Sequence, residues 1–209
     1  DTTVSQTTAN LSQARNGLAG ISEGLIKGYF AGGSTASAVS TADKLTYSND
    51  TTAAQTTANL SQARNQLAGI SEGSSKGYFA GGNNGVDLAT TDKITYSNDT
   101  TSAQTTANLS QSRTGLAGCS GDGTKGYFVG GSTGIRVATA DKLTYSNDTT
   151  VAQTTANLSQ ETYNLAGIDG SYITFAPVLS GSIASGQIGP YHLSSGCIFS
   201  GHIASGAVF

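Results

Sequence analysis

The chain has 209 residues, a net charge of −3, a hydrophobic content of 36% and a charged content of only 11%. This balance excludes the basic surface that nucleic-acid binding requires, and no apolar run approaches the roughly 20 residues that span a bilayer. The 28 glycines among many serines and threonines are typical of short strands and tight turns in extracellular fibres and surface proteins.

A repeat with a period of 49 residues fills most of the chain. The phrase "DKLTYSNDTT" begins at Asp43 and Asp141, and "DKITYSNDTT" begins at Asp92. Segments 50–98 and 99–147 are identical at 32 of 49 positions. The division that follows is a repeat domain 1–176, with repeats 1–49, 50–98, 99–147 and a partial repeat 148–176, and a separate segment 177–209. Because the chain opens on "DTT", the end of that phrase, we expect it to be a piece or a processed form of a longer protein.

Four strand-length pieces in each repeat predict an all-β fold. In the unit 14–62 they are "GLAGIS" (17–22), "GYFAGG" (28–33), "DKLTYS" (43–48) and the outer strand "TTAAQTTANL" (51–60). The turn "SND" at 48–50 suits a hairpin, since Asn and Asp bond their own backbone and tolerate left-handed geometry. High glycine and β-branched content, without a 3.6-residue period, excludes helices at 10–23 and 59–72.

In this order the pieces resemble the kelch motif. That motif has an aromatic strand ending in a Gly pair, a strand with a tyrosine before a turn, and a small-residue stretch ending in arginine. The resemblance covers about 1–176 and implies β-propeller blades of four antiparallel strands. It gives these roles to Gly32–Gly33, Gly81–Gly82 and Gly130–Gly131, to Tyr47, Tyr96 and Tyr145, and to Arg15, Arg64 and Arg113. The tryptophan of usual kelch repeats is missing, because the chain contains none.

The blade count leaves the closure of a ring open. Three units are complete, and a fourth has its "LAG" strand at 165 before the sequence changes character. Residues 1–9 would supply an outer strand to that incomplete blade and close a ring of four. The alternatives are further blades upstream, closure between chains, and stacked sheets without a ring.

The segment after Val178 predicts an oligomeric fibre stem. From Ser180 it divides into five-residue units whose fourth place is always aliphatic. One aliphatic residue in five does not bury enough surface to order a single chain, so we predict a trimeric β stem, with a parallel β-coil and a flexible linker as alternatives. The aliphatic positions are Ile183, Ile188, Leu193, Ile198, Ile203 and Val208.

This tail, with "SGSIASGQIG" and "HLSSG", resembles stretches of tail-fibre-like structural proteins of bacteriophages, particularly of cyanobacteria and other aquatic bacteria. Kelch-like repeats accompany such tails in some of these proteins. The combination implies a non-enzymatic structural and adhesive protein of a tail fibre or virion appendage, located on the virion or outside the cell. Its partners would be further copies of itself, other virion proteins and a host-surface glycan or protein. The alternative is a bacterial secreted adhesin or filament subunit, which a secretion signal upstream would select.

Candidate binding residues lie between the Gly pair and the tyrosine strand, where the copies differ most, at 34–42, 83–91 and 132–140. Three such loops would share one face of a propeller, and loops on a rigid sheet are where recognition usually resides. Unconstrained drift of exposed loops is the alternative. The candidates are Ser34, Thr35, Asn83, Asn84, Asp87, Ser132, Thr133 and Arg136.

The repeats contain little that catalysis requires, and we expect neither an enzyme nor a cofactor. No histidine lies in them to serve as the base for a nucleophile. The recurrent Asp43, Asp92 and Asp141, each beside a lysine before a strand, are expected to be turn or capping groups. Cys119 takes the place of an isoleucine of other copies and is expected to be a small buried hydrophobic residue.

The two histidines of the chain, His192 and His202, share the third place of the five-residue units with Cys197. Imidazole and thiolate are good ligands for zinc or iron. A structural metal on the axis of a trimer is therefore one interpretation of this position, and a solvent-facing position that tolerates any residue is the other.

Overall fold

The computed structural model describes residues 3–167, which all belong to the first of two units, Asp1–Tyr172 and Ile173–Phe209. Their regular structure consists of β-strands and one-turn 3₁₀ segments, and these residues contain no α-helix. The all-β prediction is therefore confirmed for the repeats. The predicted stem at 177–209, with all its aliphatic positions, lies outside the described residues.

The strands form three antiparallel sheets of four strands each, and the strands of every sheet follow chain order. The first sheet comprises β1 (Ala19–Glu23), β2 (Lys27–Ala31), β3 (Ala42–Thr46) and β4 (Thr51–Ala54). The second comprises β5 (Ala68–Ser71), β6 (Lys76–Ala80), β7 (Thr91–Thr95) and β8 (Thr100–Ala103). The third comprises β9 (Ala117–Ser120), β10 (Lys125–Val129), β11 (Ala140–Thr144) and β12 (Thr149–Ala152).

The pairing within each sheet agrees with the sequence analysis. The Gly-pair strand and the tyrosine strand are antiparallel neighbours in every repeat, as β2 and β3 are in the first. The hairpin turn after the tyrosine strand is left-handed, with φ values of 51°, 54° and 53° at Asp50, Asp99 and Asp148. Local turn chemistry therefore decides where each outer strand begins.

The predicted outer strand 51–60 is too long. It ends at Ala54, and the chain then makes a 3₁₀ turn at Thr56–Ala58. Ala58 and Leu60 are thereby buried in the cluster between the first two sheets, which a continuing edge strand would not allow. The chain leaves the edge because burying this apolar pair between sheets removes more apolar surface from water.

The described N-terminal residues do not form the predicted outer strand. Thr7–Ala9 form a 3₁₀ turn rather than a strand, and they pack against β4 of the first sheet, where Thr8 Oγ1 donates to the carbonyl of Asp50 at 2.8 Å. The 3₁₀ turns Thr56–Ala58 and Thr105–Ala107 pack in the same way on the sheets that follow them. Thr57 Oγ1, for example, donates to the Asp99 carbonyl at 2.7 Å. The predicted outer strand at 1–9 is therefore wrong for these residues.

A buried ion pair lies within each sheet. Arg64 Nη2 is 2.9 Å from Asp92 Oδ2 and donates to the carbonyl of Phe79, and both charged side chains are fully buried. Burial lowers the pKa of the Arg64 guanidinium, and the charge of Asp92 opposes that shift. The equivalent pairs are Arg15–Asp43 at 2.9 Å and Arg113–Asp141 at 2.7 Å.

The expectation that Asp43, Asp92 and Asp141 are turn or capping groups is therefore wrong. Each is the second residue of its strand, and its partner arginine precedes the first strand of the same sheet. A carboxylate fully removed from water is stable only beside a cation that also donates hydrogen bonds. The recurrent arginine of each repeat supplies that cation.

Tyrosines pack between successive sheets. The ring of Tyr29 in β2 stacks on that of Tyr96 from the second sheet, with centroids 5.6 Å apart and planes 4° apart. Tyr78 and Tyr145 repeat the arrangement between the second and third sheets at 5.8 Å and 12°. The hydroxyl of Tyr145 also donates to the carbonyl of Ser71 at 2.9 Å. The motif tyrosine therefore joins its own sheet to the preceding one.

The turn aspartate makes a second link between sheets. Asp99, in the second sheet, accepts from Lys27 Nζ at 2.8 Å, from Lys44 Nζ at 2.6 Å and from the hydroxyl of Tyr29, all in the first sheet. Burial alone would raise the pKa of Asp99, but these hydrogen bonds lower it to about 2. We name this set of four residues the junction cluster. Asp148 forms the same cluster with Lys76, Lys93 and Tyr78 of the second sheet.

Candidate functional site

Each repeat exposes a five-residue loop between its Gly pair and its tyrosine strand. These tip loops are 34–38, 83–87 and 132–136, and the first and last residues of each form an antiparallel bridge. Within each loop the second N–H donates to the fourth carbonyl, as Thr133 does to Ile135 at 2.9 Å. The three tip loops therefore share one backbone shape.

The Gly pair sets the direction in which each tip loop leaves its sheet. Gly32 and Gly33 have φ values of 70° and 101°, a region that residues with a Cβ rarely adopt. A Cβ on Gly32 would lie 2.7 Å from the carbonyl oxygen of Arg64, and one on Gly33 would lie 2.7 Å from that of Asn16. Both conformation and space therefore require glycine, and the other two pairs repeat this geometry.

A row of backbone hydrogen bonds places the tip loops side by side. Gln66 N–H donates to the carbonyl of Gly17 at 2.6 Å, Gly115 to Gln66 at 2.9 Å, and Asn164 to Gly115 at 2.7 Å. The residue before each of the first three in this row is bridged to the first residue of a tip loop. Those bridges are Asn16–Ser34, Asn65–Asn83 and Thr114–Ser132. The tip loops are thus neighbours on one face of the stacked sheets.

The predicted binding residues occupy distinct places in these loops. The first residues, half-buried, are Ser34, Asn83 and Ser132, and the second residues, exposed, are Thr35, Asn84 and Thr133. Asp87 and Arg136 end their loops, where the first loop has Ala38. Asn83 Nδ2 donates to Asp87 Oδ1 at 2.8 Å. This hydrogen bond stiffens the second loop, while residues 84–86 between the two face solvent.

The side chains at the tips differ although the backbone does not. The fourth residue is Ser37 in the first loop, Val86 in the second and Ile135 in the third, and the last two are 65% and 73% exposed. An exposed β-branched residue at a loop tip is not needed for folding. The three loops therefore present different chemistry on equivalent supports.

The third tip loop faces an open groove formed with the incomplete fourth repeat. The guanidinium of Arg136 lies 5.3 Å from the ring centroid of Tyr163, a cation–π distance. Ile135 and Glu161 also line the groove, which has a volume of about 640 Å³. An aromatic ring, a guanidinium, a carboxylate and an apolar side chain meet here at the surface.

Sequence reasoning missed Tyr163 and did not place Glu161 in a binding site. The signal was a departure from the repeat, because the fourth copy has Tyr163 where the others have Asn16, Asn65 and Thr114. A residue that departs from the repeat pattern can reflect either a function or neutral sequence drift. The contact with Arg136, which joins two different repeats, is what makes this aromatic residue informative.

Other candidate chemistry is limited in the part of the chain that the structure describes. No cluster of three or more His, Cys, Asp or Glu residues that could hold a metal ion occurs between residues 3 and 167. The candidate ligands His192, Cys197 and His202 lie outside that range. No helix within it is long and apolar enough to cross a membrane.

Cys119 has a free thiol and is half-buried in β9. The expectation that it is a buried hydrophobic residue is therefore only partly met, whereas the equivalent Ile21 and Ile70 are 9% and 1% exposed. The difference arises because those two isoleucines face a following sheet.

Comparison of the chain with protein-family models and with curated proteins finds no match.

Proposed function

We propose that the chain is a non-enzymatic structural and adhesive protein of a phage tail fibre or another virion appendage. It binds a glycan or protein of the host surface through its tip loops. One observation carries the proposal: a single loop shape is repeated three times side by side, with different side chains at the tips. Substitutions at the loop tips can change which ligand this face binds without altering the sheets that support the loops.

The proposed architecture is a series of consecutive kelch-like propeller blades. The innermost strands β1, β5 and β9 are neighbours. A Cβ on Gly69 would lie 2.9 Å from the carbonyl oxygen of Gly20, and one on Gly118 would lie still closer to that of Gly69. Close approach of this kind is expected where first strands converge on a propeller axis, so the glycine of each "LAG" supports this arrangement.

The charged groups of the repeats support a non-enzymatic role. The three Arg–Asp pairs are completely buried, and they therefore cannot meet a substrate from solvent. Asp99 and Asp148 are each held by two lysines and a tyrosine. Among residues 3–167 these ion pairs thus join strands and sheets.

The groove beside the third tip loop suits a carbohydrate. The exposed face of Tyr163 can pack against the C–H side of a sugar ring, while Arg136 and Glu161 can hydrogen-bond its hydroxyls. Open grooves with a few convergent polar groups are typical of small-ligand sites. A host-surface glycan is accordingly the first ligand to test.

Binding of the full chain to an array of bacterial surface glycans tests the proposal. Replacing Ile135→Ser together with Arg136→Ala should weaken binding about tenfold or more, because aromatic and arginine anchors dominate recognition. Val151→Ser is the matched control, since Val151 is 55% exposed on β12 and should not affect binding. Equal loss in both variants, or no loss in either, would contradict recognition by the tip loops.

The virion assignment has a separate test. Antibodies raised against the chain should label an appendage of phage particles in electron micrographs. Labelling of bacterial cell surfaces in the absence of phage would instead indicate an adhesin of the bacterium, with the same loop-dependent binding.

A further inference from the structure

The sequence contains the dipeptide Asn–Gly twice, at Asn16–Gly17 and at Asn84–Gly85. In this dipeptide the backbone nitrogen of the glycine can attack the side-chain amide carbon of the asparagine. Glycine favours the attack because it has no side chain to obstruct the approach and rotates freely about its backbone bonds. The same chemistry is therefore available at two places, and the surroundings in the fold decide which of them reacts.

The first dipeptide is held by backbone hydrogen bonds. Asn16 N–H donates to the carbonyl of Ser34 at 3.0 Å, and Ser34 N–H donates to the carbonyl of Asn16 at 2.8 Å. Gln66 N–H donates to the carbonyl of Gly17 at 2.6 Å, and a Cβ on Gly17 would lie 3.3 Å from that same nitrogen. Closing a ring here requires a rotation of the backbone that would break these bonds, so the fold protects Asn16.

The second dipeptide lies at the exposed end of the second tip loop. Asn84 and Gly85 are both exposed, and nothing lies within 4 Å of a Cβ added to Gly85, whose φ is 116°. Asn84 N–H donates to the carbonyl of Val86 at 3.2 Å, and Asn84 Nδ2 donates to Gln62 Oε1 at 3.4 Å. Both distances are at or beyond the long end of the usual range, so Asn84 is only weakly held.

The attacking nitrogen has a local restraint. Gly85 N–H donates to Asn83 Oδ1 at 2.8 Å, and Asn83 Nδ2 donates to Asp87. Both bonds are formed within the tip loop itself, so they can open without loss of any pairing between strands. The second dipeptide therefore reaches a reactive geometry by a local motion, whereas the first would have to leave its neighbours.

We propose that Asn84 is a modification site, at which the second tip loop exchanges a neutral amide for a carboxylate by reaction with water. The Gly85 nitrogen attacks Asn84 Cγ and gives up its proton. The bond from Cγ to Nδ2 breaks, and Nδ2 leaves with that proton as ammonia. Water then adds to either carbonyl of the resulting cyclic imide and opens it to an aspartate or an isoaspartate. One water is consumed and one ammonia is released, so no other reactant is required.

The modification changes one tip loop and leaves the others as they are. The equivalent second residues are Thr35 and Thr133, which have no amide to lose. In the second loop the new carboxylate joins that of Asp87, and an isoaspartate also lengthens the backbone between the two bridged ends of the loop. This site goes beyond the proposed adhesive function and does not depend on it.

Peptide mapping of the full chain by mass spectrometry tests the site. The protein is kept at mildly alkaline pH, either folded or in urea, and is then digested in mild acid, where the reaction is slow. In the folded protein the peptide with Asn84 should accumulate aspartate and isoaspartate, while the peptide with Asn16 stays unchanged. In urea both peptides should react at similar rates, because neither dipeptide is then held by the fold.

The two dipeptides control for each other, since they share their chemistry and differ in their surroundings. If the Asn84 peptide stays unmodified in the folded protein, the proposal is wrong. If Asn16 reacts as fast as Asn84 in the folded protein, the fold does not select the site and the proposal is likewise wrong. Aspartate without isoaspartate would indicate direct hydrolysis of the side chain, and would overturn the attack by Gly85.

Variants identify the groups that react. Gly85→Ala places a methyl group beside the attacking nitrogen and should remove most of the product. Asn84→Gln keeps an amide but would have to close a larger ring, and it should remain unmodified. Gly134→Ala is the matched control, because it makes the same change at an open, positive-φ position of the third tip loop.

Gly134→Ala should leave the products at Asn84 undiminished. Equal products in Gly85→Ala and in the wild type would contradict the role of the Gly85 nitrogen. Equal losses in both glycine variants would show that the added methyl group acts on the fold rather than on the reaction, and would also overturn the proposal. All of these outcomes are measured by mass, so they are independent of any result from the glycan array.

Discussion

At the scale of single residues, two aspartates of the repeat both bind cationic side chains, one from inside a strand and the other from a turn. Asp92 lies inside a strand and binds the buried Arg64, whereas Asp99 lies in a left-handed turn and binds lysines of the preceding sheet. Both occur in the same recurrent phrase. Position in the sheet, rather than residue type, decides which cation each carboxylate meets.

The junction clusters predict loss of stability in acid. Hydrogen bonds from Lys27, Lys44 and Tyr29, acting against burial, lower the pKa of Asp99 from 3.8 to about 2. A carboxylate whose pKa is depressed on folding stabilises the folded state fully at pH values above its ordinary pKa. This stabilisation is lost as the pH falls through about 2. Asp99 and Asp148 should each contribute on the order of 1–2 kcal/mol, which urea unfolding followed by circular dichroism can measure between pH 5 and 2.

Variants separate these carboxylates from the others in the repeats. Asp99→Asn should be less stable than the wild type at neutral pH and should converge with it near pH 2. Asp50→Asn is the control, since Asp50 is exposed, and it should follow the wild-type curve. A constant difference between Asp99→Asn and the wild type at every pH would contradict the assigned role.

At the scale of elements, local sequence predicts strands and turns well where the cause is local. The Gly pairs, the alternating tyrosine strand and the left-handed aspartate turn were all predicted and are all found. The outer strand 51–60 was overextended, because its threonines favour a strand throughout. Its end depends on Ala58 and Leu60 entering the space between sheets, which no local pattern reveals.

The Gly pair should be sensitive to a single added methyl group. Gly81 has a φ of 67°, and a Cβ there would lie 2.8 Å from the carbonyl oxygen of Arg113. Gly81→Ala should therefore combine backbone strain with overpacking and destabilise the fold by about 2–4 kcal/mol. Thermal or urea unfolding measures the loss.

Gly134→Ala is the matched control at a tip loop. Its φ is 94°, but nothing lies within 4 Å of an added Cβ. The substitution should therefore destabilise the fold only through the left-handed backbone conformation, by about 1–2 kcal/mol. Equal losses at Gly81 and Gly134 would show that close approach to the neighbouring chain segment is unimportant.

At the scale of the whole molecule, equivalent repeats produce equivalent junctions. The second and third sheets each place one tyrosine and one aspartate against the sheet before them, so the sheets follow one another in a single direction. The tail from Ser180 is predicted to assemble with other copies of the chain. Its one aliphatic residue per five is too little for one chain but sufficient for several chains that share each layer.

The stem prediction is tested with Ile188→Asp and Ile203→Asp together in the full chain. The double substitution places charges among the shared aliphatic residues and should convert trimers to monomers while the repeats remain folded. Light scattering gives the native mass, and circular dichroism reports on the repeats.

The control substitutes the preceding place of each unit, with Gln187→Asp and His202→Asp. The third place varies freely in sequence, so these charges should leave the mass unchanged. If Ile188→Asp with Ile203→Asp keeps the native mass, the aliphatic residues do not assemble the stem.

The sequence by itself determined the period, the four strands of each repeat, the turn geometry and the position of the variable loops. These features depend on neighbours in the chain, so alternation, glycine and turn residues suffice to predict them. Only the tertiary structure decided which charges pair. Arg113 meets Asp141 across 28 residues, and Lys27 meets Asp99 across 72. Such contacts form because burial selects one partner among several similar carboxylates.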